Sequence, residues 1–123
     1  MATITALTTT ALLVFAGPAF ADSACNASFC NTTDGSGGRV DQVLAQKIGR
    51  LQNVIGFFEA RGPRGMLATG PTTSANHTYF TRGSFRNPTT LKNGELMCLT
   101  FFAKTSGGGF VEVGTAQCTT APF

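Results

Sequence analysis

The sequence predicts an α+β domain. One N-terminal amphipathic helix packs on an antiparallel β-meander of about five strands, which ends in a disulfide-stapled hairpin. Three observations predict it. Val40, Val43, Leu44, Ile48, Leu51, Val54 and Ile55 recur at steps of three and four and fall on one helical stripe. Short β-prone runs separated by Gly, Pro and Asn turns follow from Phe57 onward. Two β-prone runs flank Gly107-Gly108-Gly109 and carry Cys98 and Cys118 at their outer ends.

The chain begins with an expected leader. Residues 1–21 carry no Asp, Glu, Lys or Arg, and the apolar run Ala11–Ala16 precedes Gly17-Pro18 and Ala19-Phe20-Ala21. Small residues at the first and third positions of that triplet suit signal peptidase, so cleavage after Ala21 is expected and the mature protein is placed outside the cell or in the periplasm. The apolar run is shorter than the ~20 residues that a membrane span needs, so no transmembrane segment remains after cleavage. The n-region lacks the usual basic residue. Cleavage leaves 123 − 21 = 102 residues and the whole formal charge of +3, enough for one modest core that gains from staples.

Residues 22–38 are polar and end in Asn31-Thr-Thr-Asp-Gly-Ser-Gly-Gly38, which reads as a flexible arm. A single domain then occupies 39–123. Its helix starts near Arg39, with Asp41 favourable in the first turn and Gly56 placed to stop it. Lys47 lies inside the apolar stripe and must snorkel. Gly49 sits on the polar face, where it weakens a helix by about 1 kcal/mol. Phe57–Arg61 and Met66–Thr69 read as strands around a type I turn at Gly62-Pro63-Arg64-Gly65. His77–Arg82 reads as a third strand.

An even count of four cysteines in a small exported chain points to two disulfides. If Gly107–Gly109 form the last loop, Ser106 faces Phe110 and opposed residues sum to 216. Cys98 then faces Cys118, Lys104 faces Glu112 and Phe102 covers Gly114. Cys25–Cys30 follows by elimination. Leu99, Phe101, Ala103, Val111 and Val113 share the core face of that hairpin.

Chemistry-bearing residues are few. There is one histidine, His77, and no CxxC, so neither a metal site nor a cofactor is expected. Ser74 precedes His77 by three residues, a spacing that says nothing about placement in space. Glu59, Glu95 and Glu112 fall on separate predicted strands, which disfavours a glycosidase pair. The uneven feature is charge. Between Ala60 and Gly94 stand Arg61, Arg64, Arg82, Arg86 and Lys92 without one acid, interleaved with Tyr79, Phe80 and Phe85. The four arginines form a candidate anion-binding patch. The expected function is a non-enzymatic binding module for an anionic envelope or extracellular ligand, or for a protein. A small secreted hydrolase using His77 or a carboxylate is the alternative, and a structural envelope component a third. A total charge of +3 makes nucleic acid an unfavoured partner. Three N-x-[ST] sequons, at Asn26, Asn31 and Asn76, matter only in a eukaryotic secretory pathway.

Overall fold

The computed structural model describes residues 20–123. The leader therefore lies outside the described residues, apart from Phe20 and Ala21, whose backbone enters the first strand. Eight strands follow in chain order: β1 Phe20–Cys25, β2 Phe29–Ser36, β3 Arg39–Lys47, β4 Gly56–Arg61, β5 Leu67–Thr69, β6 His77–Thr81, β7 Leu96–Lys104 and β8 Phe110–Thr120. They form two four-stranded antiparallel sheets, ordered β1-β2-β3-β6 and β5-β4-β7-β8. The fold is a β-sandwich and not the expected α+β domain. Its only helical pieces among the described residues are 3₁₀ turns at Gly49–Leu51 and Arg82–Ser84.

The predicted amphipathic helix is strand β3, and a bulge explains the misleading period. Asp34 pairs with Gln42 but Gly35 pairs with Val40, so Asp41 is an extra residue in β3. A bulge shifts the parity of the strand. Val40 and Val43, three apart, therefore both face inward, and the alternation then runs regularly through Ala45 and Lys47. Leu44 points to the opposite face, opposite Thr32 and Tyr79. Leu51 is buried from the 3₁₀ turn, while Ile55 is half exposed.

Gly56 is not a helix stop. It opens β4, and a Cβ there would collide with Phe102 O and Phe101 Cζ. Its backbone exchanges two hydrogen bonds with Thr73. The polar stretch read as a flexible arm carries β1 and β2. Its inward residues are Phe29, Asn31, Thr33 and Gly35, so its alternation is largely of polar types and is hard to see in hydropathy. Asn26 makes the β1–β2 turn: its Oδ1 accepts from Ser28 N at 2.7 Å and Phe29 N at 2.8 Å.

The strands expected at 57–61, 66–69 and 77–82 match β4, β5 and β6 within a residue or so. The turn between β4 and β5 is of the I′ kind: Arg64 and Gly65 have φ of 57° and 78°, and Met66 N donates to Pro63 O at 3.1 Å.

One core fills the space between the sheets. Phe29, Val40, Val43, Ala45 and Phe80 come from one sheet; Phe58, Ala60, Ala68, Met97, Leu99 and Phe101 come from the other. Phe29 meets Phe58 edge to face at 5.4 Å, and Phe58 tilts against Phe101 at 4.8 Å. Polar groups also cross the gap. Asn31 Nδ2 donates to Met97 O and Gln117 O, Thr33 Oγ1 donates to Asn31 Oδ1, and the Thr33 and Thr119 hydroxyls lie 2.7 Å apart. Every member is paired, as burial demands.

The last hairpin pairs Cys98 with Cys118 as expected, and Cys25 with Cys30. The register near its loop differs from the expected one. Thr105 N donates to Gly109 O, so the loop is Ser106–Gly108, one residue early. Lys104 therefore faces Phe110 and Phe102 faces Glu112. The two residues by which this shifts the pairing are recovered between Val113 and Gln117. Gly114, Thr115 and Ala116 there oppose Thr100 alone, and Cys98 returns opposite Cys118. Gly114 takes φ 74° in that bulge, and Asn26 Nδ2 donates to Thr115 O across it. Of the predicted core face, Leu99 and Phe101 are buried, Ala103 and Val113 partly so, and Val111 is 52% exposed.

Candidate functional site

The arginines singled out by sequence all stand toward one end of the sandwich, with Arg61 at its flank beside Glu95. Arg61 ends β4 on the outer face of its sheet and pairs with Glu59 at 3.2 Å. With Gly62, Pro63, Gly94, Glu95, Leu96 and Cys98 it lines a shallow hollow of about 350 Å³. Arg64, Arg82 and Arg86 surround that end, formed by the loop that runs from β6 to β7.

That end is tied together by specific contacts. Arg82 Nε lies 3.5 Å from Asp41 Oδ1, which also receives Arg39 Nε at 2.8 Å. Arg39 bridges to Thr90, whose carbonyl accepts from Arg64 Nη2 at 2.7 Å. Arg64 Nη1 donates to Glu95 Oε2 at 2.5 Å. Glu95 Oε1 in turn accepts from Lys92 N at 2.6 Å. The loop is held down by Arg86 N donating to Leu67 O and by Asn87 Nδ2 donating to Gly65 O. Phe85 and Leu91 anchor it in the core.

The electrostatics follow from those contacts. The Arg39 side chain, donating to Asp41, holds that carboxyl below its ordinary pKa, and Arg82 adds a smaller pull in the same direction. The Lys92 backbone N–H, and then Arg64, lower Glu95. Both acids are thus ionised counter-charges that position guanidinium groups. Arg86 and Lys92 have no ion-pair partner among the described residues.

The count of charges is informative. The rim holds five cations (Arg39, Arg64, Arg82, Arg86, Lys92) and two anions (Asp41, Glu95), 5 − 2 = +3. Asp22, Asp34 and Glu59 stand toward the same end, since Asp34 pairs with Gln42 beside Asp41, Asp22 accepts from Thr120 N and Glu59 pairs with Arg61, so acids flank this rim on three strands. Sequence reasoning missed Arg39 as a member, because it was assigned to a helix. The bulge at Asp41 beside it is the signal, visible only once β3 is recognised.

The other candidate chemistry stays dispersed. His77 is exposed on β6, opposite Gln46, with its ring stacked near Tyr79 at 6.5 Å. Its hydrogen-bonding neighbours include no carboxylate, and no group of three or more His, Cys, Asp or Glu that could hold a metal occurs among the described residues. Glu59, Glu95 and Glu112 face Arg61, Arg64 and solvent respectively, on strands and a loop that do not bring them together. Interleaved aromatics also divide: Phe80 and Phe85 are core, and only Tyr79 is exposed. All three sequon amides are engaged, Asn31 wholly buried, Asn26 in its turn and on β8, and Asn76 with Asn53. No family model, curated protein or solved structure matches the chain.

Proposed function

We propose that the protein is a small exported binding module that holds an anionic ligand of the envelope or extracellular space at the rim of Arg39, Arg64, Arg82, Arg86 and Lys92. The observation that carries this reading is that five cationic side chains line one loop and the strand ends beside it, with Arg86 and Lys92 free of any ion-pair partner among the described residues. Arginine forks suit carboxylate, sulfate and phosphate groups. Asp41 and Glu95 hold three of these guanidinium groups, Arg39, Arg82 and Arg64, so less side-chain freedom is lost on binding. Two disulfides fit an oxidising compartment.

The test is retention on a sulfated polysaccharide matrix and on vesicles containing anionic lipid, as a function of salt. Retention should fall steeply as the Debye length shortens to about 8 Å near 0.15 M. Arg82→Gln, Arg86→Gln and Lys92→Gln combined should abolish it with an unchanged unfolding midpoint, since none of the three side chains enters the core. Retention that survives the triple substitution would remove the rim from the function.

A further inference from the structure

The outer end of β8 is an edge with free hydrogen-bonding groups and uncovered apolar side chains on both faces. The Thr105–Gly109 hydrogen bond sets the alternation of the hairpin. Lys104–Phe110 is then a non-hydrogen-bonded pair, Ala103–Val111 a hydrogen-bonded one, and Phe102–Glu112 non-hydrogen-bonded again. The N–H and C=O groups of Phe110 and Glu112 therefore point away from β7, to the open side of the sheet. Among the described residues β8 has no further strand on its other side. Nearer its C-terminal end its edge is occupied, because Thr115 O accepts from Asn26 and Thr120 N donates to Asp22 Oδ2. The free stretch is Phe110–Glu112.

The side chains along that stretch are apolar beyond what a solvated edge needs. Phe110 is 46% and Val111 52% exposed, on opposite faces of one strand. Phe110 packs edge to face on Phe57 at 5.0 Å, and Phe57 stacks on Phe102 at 5.2 Å, which continues the apolar surface across the outer face. Edges of this kind template pairing with another strand.

We propose that Phe110–Glu112 pairs antiparallel with the same segment of a second copy of this chain, about a two-fold axis at Val111. The sequence of the edge selects this occupant and this register. Outward groups lie on Phe110 and Glu112, so the registers that hydrogen-bond place Phe110 opposite Phe110, Phe110 opposite Glu112, or Glu112 opposite Glu112. The last opposes like charges. The first leaves Glu112 beyond the partner's strand, at its glycine loop. The middle register uses all four free backbone groups of each copy. It also sets Val111 against Val111 as a close, non-hydrogen-bonded pair, and lays Lys104, Phe110, the second copy's Glu112 and its Phe102 in one row. Opposite charges then alternate across the axis. The two sheets containing β8 join edge to edge, leaving the cationic rim free, so this association is independent of anion binding.

Sedimentation velocity over a dilution series of the mature protein tests it. A reversible monomer–dimer equilibrium is expected. Val111→Lys faces two lysines at the axis and should weaken the dimer by about tenfold or more. Glu112→Pro removes an outward N–H that makes no bond within the hairpin, a position where an edge strand accepts proline, and should give a monomer. Both variants should keep the Cys98–Cys118 linkage and the parent's unfolding cooperativity, which separates loss of pairing from loss of fold. A protein monomeric at every concentration, or a dimer that neither substitution weakens, would overturn the proposal.

Discussion

Lys47 shows how one residue was legible in kind and not in place. It stands on the inward face of β3 with 1% exposure. Instead of snorkelling, it turns into the core. Its Nζ donates to Val54 O at 2.6 Å and Thr73 O at 3.2 Å, and lies 5.1 Å from the Phe101 ring centroid. It clasps the β3–β4 and β5–β6 connections to β3. No carboxylate accompanies it, and burial lowers its pKa below the ordinary 10.5. The sign of the consequence is fixed by linkage. Between its folded pKa and 10.5 the unfolded chain binds more protons than the folded one, so stability rises with pH across that window. Below the window the charged, desolvated amine costs stability in full. Urea unfolding of the parent and of Lys47→Met as a function of pH should show that rise in the parent and not in the variant. The difference between the two isolates Lys47 from every other group that titrates there. Parallel pH profiles would mean that the amine is solvated in the native state.

The last hairpin sets the corresponding problem at the scale of elements. A symmetric three-residue loop at Gly107–Gly109 predicts Cys98 opposite Cys118. The pairing is right, yet two of the register's three supports are absent, since Lys104 faces Phe110 and Phe102 faces Glu112. A loop one residue early and a bulge two residues long cancel at the cysteines. Gly114 carries that cancellation: it adopts φ 74°, and a Cβ there would lie 3.0 Å from Asn26 Nδ2. Gly114→Ala should cost about 1–2 kcal/mol from the left-handed backbone alone, measured by urea unfolding, with the 98–118 linkage retained in peptide mapping. A neutral substitution would show that the bulge relaxes freely. The same kind of defect hid β3. Without the extra residue Asp41, Val40 and Val43 would stand two apart on one face and a period of two would have been visible. Uninterrupted strands such as β4 and β6 were read correctly because their alternation is unbroken. β1 and β2 were missed because Asn31 and Thr33 occupy core positions, satisfied by hydrogen bonds that hydropathy does not register. The rim was half legible: the acid-free interval flagged Arg64, Arg82, Arg86 and Lys92, whereas Arg39 joins them only through the fold.

Across the whole molecule, the covalent and non-covalent ties divide the work. Cys25–Cys30 staples β1 to β2, and Cys98–Cys118 staples β7 to β8, so each bridge lies within one sheet. No disulfide joins the two sheets among the described residues. Their cohesion rests on the shared core around Phe29, Phe58 and Phe101 and on the Asn31–Thr33–Thr119 bonds. Both sheets should therefore melt together whether or not the bridges are present. In the chain-entropy account, closing the longer loop contributes about 3 kcal/mol and the shorter about 2 kcal/mol. Cys98→Ser with Cys118→Ser should lower the urea midpoint more than Cys25→Ser with Cys30→Ser. Each pair should leave a single transition, identical by far-UV circular dichroism and by hydrogen exchange in the two sheets. A stepwise transition, with one sheet protected after the other has exchanged, would show that the interface between them is too weak to couple them. The bridges would then hold two separate hairpin sheets rather than trim the unfolded state of one cooperative sandwich.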